Sequence, residues 1–437
     1  MSPAPPRLRV VTRELDPADD ALPFADASDP LVWLRRGEGI VGAGRSVLTL
    51  QRGGDAPASA LSFAELWRSI AAHAEIDDAV GVPGTGLVGF GAFVFDERSV
   101  HESVLRVPSF VVGRRGGRRW MTRIENLDVP HVREAESPAN HPPEQHAPEP
   151  RPFGPYWPAT LGPGVLSPEG YQDAVRTGLA AIAAGEARKV VLARDLVGSI
   201  PAGADLRRLV RALAEAYPDT WTYAVDGLIG ASPETLVTVS GGTVTARVLA
   251  GTGARGTDAD ADAAASDALR HSAKDLDEHR YAVRSVLDAL APHVRAVADA
   301  EPSALGLPNL WHLATDVSGG LRDRASALDL VAALHPTAAV AGTPTDAAMD
   351  IIRRIEPFDR GRYAGPVGWV DAHGDGEWAI ALRCVQVGSA PARRFAAYGD
   401  TVPVVAHAGA GIVAGSDPES EMLETRVKFR PIVDALT

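Results

Sequence analysis

Three residues near the C-terminus, Glu421, Glu424 and Lys428, are spaced i, i+3 and i+7, so a helix there carries all three on one face. On a solvated helix that spacing gives only a Glu424–Lys428 pair, worth about a few tenths of a kcal/mol. Just upstream, Ala408-Gly-Ala-Gly-Ile412 reads as backbone leading into the helix N-terminus, with N–H groups that suit a carboxylate or phosphate. In the middle of the chain, Lys274-Asp-Leu-Asp-Glu-His-Arg280 sets Asp275 and Glu278 on one helical face. Surface ion pairing would explain that pair as well. Two helices that each offer two carboxylates nevertheless meet the needs of Mg²⁺, a hard cation that takes a few carboxylates and keeps several waters.

Other candidates sit on strands. Lys189 opens the run Lys189-Val-Val-Leu-Ala-Arg-Asp-Leu-Val197, where the two-residue period puts Lys189, Val191 and Ala193 on one face. A lysine at a sheet edge would be ordinary; a buried amine would favour its neutral form and could act as a base. Arg383 interrupts the apolar run Trp378-Ala-Ile-Ala-Leu-Arg-Cys384 and would make an anion fork, since a guanidinium reads carboxylates bidentately. Glu234, in Ser232-Pro-Glu234 between two strands, could act as an acid if an apolar pocket raised its pKa.

The elements that must hold these groups are legible in outline. Before residue 130, short apolar runs alternate with turns: Leu31–Leu34, Ile40–Val41, Val47–Leu50, Leu87–Phe95, Ser109–Val112 and Trp120–Ile124 read as strands, with Gly116-Gly117 a hairpin turn. Leu61–Ala74 has helical spacing. From about 129 to 163 the composition shifts; Pro, His and Glu dominate Ser137–Pro150, which cannot form a regular element. The histidines in that stretch lack the fixed geometry a metal site needs. A helix follows, with Ser167 as cap, Pro168 at its first position and Gly185 at its end. Leu236–Ser240 and Thr243–Val248 form a hairpin around Gly241-Gly242. A long helix is expected over Asp262–Val294, strands over Val367–Asp371 and Trp378–Val387, and a final helix from Ser416 or Asp417.

The whole chain sets limits on partners. Its 437 residues are 45% hydrophobic and 23% charged, the balance of a globular protein with a large core. A net charge of -13 argues against a nucleic-acid partner. An anionic substrate would then need local cations or a metal. The single cysteine, Cys384, excludes an internal disulfide and a cysteine-based metal motif. No apolar run approaches the ~20 residues that span a bilayer, and Met-Ser-Pro-Ala-Pro-Pro-Arg7 is no signal peptide, so a cytoplasmic protein without a membrane partner is expected.

Taken together, the residues resemble the chorismate-binding enzymes, the family of isochorismate, salicylate, anthranilate and aminodeoxychorismate synthases. The resemblance runs from about Tyr171 to Lys428. It is carried by Lys189-Val-Val-Leu-Ala-Arg194, Ala231-Ser-Pro-Glu234, Leu249-Ala-Gly-Thr252, Lys274-Asp-Leu-Asp-Glu-His279, Leu310-Trp-His-Leu-Ala314 and Leu334-His-Pro-Thr337. It continues through Glu356-Pro-Phe-Asp-Arg360, Tyr363-Ala-Gly-Pro-Val-Gly-Trp369, Gly376-Glu-Trp378, Arg383, Ala408–Ile412 and Glu424-Thr425 with Lys428. Earlier, Trp33–Gly39 and Phe90–Asp96 match less densely. The implied fold is α/β (α+β), like anthranilate synthase component I, with antiparallel β-sheets packed together and helices outside. Residues 1–163 would form its N-terminal part, ending in the Pro-rich loop, and 164–437 the catalytic region.

The resemblance also implies roles. Anthranilate synthases carry Gln where this chain has Lys189, because ammonia is their nucleophile; aminodeoxychorismate synthases commonly place Lys where this chain has Ala250. Lys189 with Ala250 therefore points to water addition at C2 of chorismate, giving isochorismate, or salicylate if pyruvate is then lost. A non-catalytic binder of an aromatic carboxylate is the other class of reading. Lys189 would activate water and Glu234 would protonate the hydroxyl leaving C4. Mg²⁺ would be held by Glu278 and Glu424, with Asp275 and Glu421 supporting through waters. Arg383 and Tyr363 would hold the enolpyruvyl carboxylate with N–H groups around Gly409 and Gly411. Lys428 would contact a carboxylate, Thr252 and His312 would line the pocket, and residues 339 to 342 would border it. A monomer without a glutamine amidotransferase subunit is expected.

Overall fold

The computed structural model describes residues 5–15, 20–53, 60–128, 148–306, 310–322, 325–388 and 400–437. Its strands form one hydrogen-bonded network among the described residues, almost wholly antiparallel; the exception is Leu8–Glu14 beside Glu75–Asp78. Most of the Pro-rich stretch lies outside the described residues, and within it Leu161–Pro163 pairs with Leu196–Gly198. Strand pairing crosses that stretch. Leu31–Arg35 pairs with Trp221–Val225, and Val88–Ala92 pairs with Pro366–Asp371. One apolar core accordingly joins Trp33, Trp67 and Trp120 to Trp369 and Trp378. A second lies beneath the helices Arg207–Ala216 and Pro418–Leu436, around Leu209, Phe429 and Ile432.

The α+β fold with antiparallel sheets and flanking helices is thus present, and local chemistry explains much of it. Ser167 accepts the Gly170 N–H at 3.1 Å and opens the helix Pro168–Ala183, while Gly185 leaves it at φ +78°. Both residues of the Gly116-Gly117 turn, and both of Gly241-Gly242, have positive φ, as tight hairpins require. The strand Lys189–Pro201 pairs with Thr401–Val413 along its whole length, from Lys189 opposite Val413 to Pro201 opposite Thr401.

Three expectations need correction. The helix expected over Asp262–Val294 is two helices, Ala259–His271 and Ala273–Leu290. Ser272 breaks it at ψ 109° and accepts the Asp275 N–H at 3.3 Å, so a short polar side chain starts a new helix instead of continuing the old one. The strand expected over Trp378–Val387 is likewise two, Gly376–Ile380 and Cys384–Val387, with Arg383 between them at φ +48°. Lastly, Ala408–Ile412 does not lead into a helix. It lies inside Thr401–Val413, and the helix starts at Pro418, capped by Asp417, which accepts the Ser420 N–H at 2.8 Å.

The Ser272 break is testable. Ser272→Ala should lower folding stability by about 1 kcal/mol through loss of the cap, read as a shift in the denaturation midpoint. An unchanged midpoint would mean that the break is set by tertiary packing alone.

Candidate active site

Lys189 stands at the first position of its strand, half-buried. Across from it runs the small-residue stretch of the partner strand, and a Cβ placed on Gly411 would come within 3.0 Å of the Lys189 Cε. Gly411 therefore leaves room for the lysine side chain. Gly409 is confined differently: its Cβ would lie 2.7 Å from the Leu192 carbonyl oxygen. Its own carbonyl accepts a hydrogen bond from Lys428 Nζ at 2.8 Å.

Glu234 is half-buried after the Leu228–Ser232 strand, with its N–H directed to Ser232 Oγ at 3.2 Å and its carbonyl accepting the Ile380 N–H at 3.0 Å. Burial raises its pKa, and the cations Lys189, Arg383 and Lys428 pull against that rise. Groups from four segments thus act on one another at this place. Burial lowers the Lys428 pKa, which the neighbouring Glu424 opposes and Arg383 reinforces. Lys428 also pairs with Glu424 at 2.5 Å.

Arg383 reaches the same region from the bend between its two strands. Its left-handed backbone costs about 1 kcal/mol for a residue with a Cβ. Its carbonyl accepts the Ala231 N–H at 3.1 Å, and no described residue accepts a hydrogen bond from its guanidinium. Burial lowers its pKa, while Tyr363, Glu234 and Glu424 hold its charge. Tyr363 is buried, stacked on His407 with centroids 5.2 Å apart, and burial raises its hydroxyl pKa. His312 directs Nδ1 to the Gly251 carbonyl at 3.2 Å, so that nitrogen carries the proton. Its pKa is lowered by burial first, then by Lys189 and Lys428. The strand carrying His312 pairs with the one carrying Thr252, and the register shifts between Ala250 and Thr252.

The acidic groups divide. Glu421 and Glu424 lie on one face of the Pro418–Leu436 helix. Burial raises the Glu421 pKa, a hydrogen bond from Ser416 opposes this, and the Glu424 charge adds to the rise. Two carboxylates held together in this way suit a hard divalent cation. Asp275 serves its own helix, where Ser272 Oγ donates to its carboxylate. Glu278 is on the same helix, but its side chain, like that of Thr252, falls outside the described residues. Among the described residues, no three metal-ligating side chains converge on one point.

One buried ion pair received no role from the sequence. Glu356 and Arg360 meet at 2.5 Å with side chains only 2% and 3% exposed. Glu356 also accepts the Ala193 N–H at 2.7 Å, and Arg360 donates to the carbonyls of Val191 at 2.7 Å and Val340 at 3.0 Å. The pair ties the Lys189 strand to the turn at Val340. Its signal was an i,i+4 acid and base beside the Leu334–Gly342 segment, but spacing alone cannot tell a surface pair from a buried one.

A family model described as "Chorismate binding enzyme" matches residues 31–437. The chain belongs to the chorismate-binding enzyme family. It is 41% identical over 285 residues to isochorismate synthase DhbC of Bacillus subtilis, covering 62% of this chain and 69% of that protein. It is 42% identical over 265 residues to the putative isochorismate synthase MenF of Mycobacterium tuberculosis, covering 58% and 68%. Among solved structures, a putative 2,3-dihydroxybenzoate-specific isochorismate synthase, DhbC from Bacillus anthracis, aligns with TM-score 0.70 at 31% identity, covering 95% of this chain and 98% of that one.

The buried pair gives a prediction. Glu356→Leu should destabilise the fold by roughly 3–5 kcal/mol, because it leaves the Arg360 guanidinium buried without its counter-ion. Chemical denaturation reads this directly, and a loss below about 1 kcal/mol would show that Arg360 is solvated in the folded state.

Proposed function

We propose that this chain is an isochorismate synthase, an isomerase that adds water at C2 of chorismate and expels the C4 hydroxyl. The observation that carries this is the gathering of Lys189, Arg383 and Lys428 around the Glu234 carboxyl, whose pKa burial raises. A base, an acid and anion-binding cations are what a displacement on a dicarboxylate ring requires. The pairing of Lys189 with Ala250 favours water over ammonia, and the relatives named as isochorismate synthases support the same product.

Lys189 takes the proton from the attacking water, and Glu234, whose pKa burial raises, delivers one to the departing hydroxyl. Arg383 and Tyr363 hold the enolpyruvyl carboxylate, with backbone groups near Gly409 and Gly411. Lys428 balances a second carboxylate, and the neutral His312 borders the ring with Thr252. Glu424 and Glu278 would hold Mg²⁺, supported by Glu421 and Asp275; when bound, the ion neutralises the ring carboxylate. No helix among the described residues is long and apolar enough to cross a membrane. A cytoplasmic monomer working without an amidotransferase completes the reading.

Incubation with chorismate and Mg²⁺ should accumulate isochorismate; stoichiometric salicylate and pyruvate would instead identify a salicylate synthase. Lys189→Ala should nearly abolish turnover while chorismate affinity stays within about a few-fold, since the base acts in the transition state. An active variant would remove Lys189 from the mechanism. The raised Glu234 pKa sets a sign for pH dependence: the acid is lost as pH rises through that value, so kcat should fall on the alkaline side. Glu234→Gln should erase that limb, and a limb that survives belongs to another group.

A further inference from the structure

By strand alternation, Arg194 and Leu196 lie on the face opposite Lys189. A cavity of about 300 Å³ opens there, lined by Pro168, Leu196, Phe429 and Val433 and by the two arginines Arg194 and Arg426. Arg194 is only 3% exposed. Its Nε donates to Thr425 Oγ1 at 2.7 Å, and its guanidinium lies 5.0 Å from the centroid of the Phe429 ring. These contacts fix the plane of the fork. Its two terminal nitrogens donate to no described residue, and neither Arg194 nor Arg426 forms an ion pair with a described carboxylate.

Two other buried arginines each meet a carboxylate. Arg207 meets Asp205 at 2.7 Å and Arg360 meets Glu356 at 2.5 Å. The nearby acids Asp195 and Glu169 act on Arg194 and Arg426 electrostatically, but their hydrogen bonds come from other donors. Asp195 accepts the N–H groups of Val165 and Leu166 at 3.0 and 3.1 Å, and Glu169 accepts from Ser167 Oγ at 3.0 Å. Asp195 favours the Arg194 charge from nearby without hydrogen bonding to its fork, and an anion placed in the cavity would give the two free terminal nitrogens a direct partner.

We propose that this cavity is a second anion site, separate from the Lys189–Glu234 site, and that it takes a small carboxylate with a compact apolar body. The Arg194 fork matches a carboxylate bidentately, Arg426 adds a second charge, and the proline, leucine, valine and phenylalanine walls take the body.

Calorimetric titration of the full chain with benzoate tests this, with acetate as the head group alone and inorganic phosphate as the other anion. Arg383→Ala separates the two sites, because Arg383 belongs only to the first. Benzoate binding should persist in Arg383→Ala, exceed acetate binding, and weaken by about tenfold or more in Arg426→Glu. Arg194→Lys, which keeps the charge but loses the fork, should weaken it several-fold; Arg426→Glu, on an exposed residue, decides the matter if that variant does not fold. Benzoate binding that disappears with Arg383→Ala and ignores Arg426→Glu would overturn the proposal, as would no binding at all. Phosphate binding tighter than benzoate would overturn the carboxylate assignment.

Discussion

The buried pair of Glu356 and Arg360 is the interaction on which the position of Lys189 depends. Such a pair gains little on its own, because desolvating two charges offsets most of their attraction. Here its remaining donors and acceptors are used on backbone. The Ala193 N–H and the Val191 carbonyl belong to the Lys189 strand, and the Val340 carbonyl to the turn beside it. That turn returns as Gly342-Thr343, paired with Val190 and Lys189, and the Val191 N–H reaches Ala341 O at 2.9 Å. On its other edge the strand is laced to Thr401–Val413. A lysine on a long flexible stem is thus mounted on a backbone held from both sides. Precision in the proposed base comes from its support.

This mounting bears on a question of charge. A protein of net charge -13 must bind an anion, and it does so by separating signs locally. Lys189, Arg383 and Lys428 surround Glu234, while Glu421 and Glu424 form an acidic edge on the helix that also supplies Lys428. Burial works against charge at Glu234, Arg383 and Lys428 alike. Neighbouring carboxylates hold the charges of Arg383 and Lys428, whereas at Glu234 burial outweighs the nearby cations and favours the neutral acid; a substrate that brings two carboxylates would complete the balance. The arrangement favours occupancy by a dianion without requiring a basic surface.

Much of this was legible in the sequence, for reasons that differ between fold and site. Helices with explicit punctuation, such as Ser167-Pro168 to Gly185, are stated by local chemistry, and the glycine hairpins need positive φ wherever they occur. The proposed site residues were legible mainly as a set. Lys189 alone is a strand-end lysine, and Glu421 with Glu424 could belong to any solvated helix. Order and company along the chain distinguished them. The Glu356–Arg360 support stayed hidden because its importance lies in burial and in backbone partners distant in sequence, and neither is a property of residue type.

The misread elements share a physical cause. Apolar periodicity reports which face is buried, and it continues across a break when both pieces face the same core. Trp378–Val387 reads as one strand for that reason, yet Arg383 turns the chain at φ +48°. A straight strand would have alternated Arg383 with its neighbours across a sheet surface. The bend instead leaves its carbonyl bonded to Ala231 and its guanidinium beside Glu234. Ser272 breaks the long helix in the same way, so that Asp275 sits in the first turn of a new helix, where the N-terminal dipole favours a carboxylate. The register shift between Ala250 and Thr252 lies opposite His312. Irregularity thus gathers where side chains must leave the regular directions of strand and helix, and about 1 kcal/mol of local strain at Arg383 is small against the field its charge supplies.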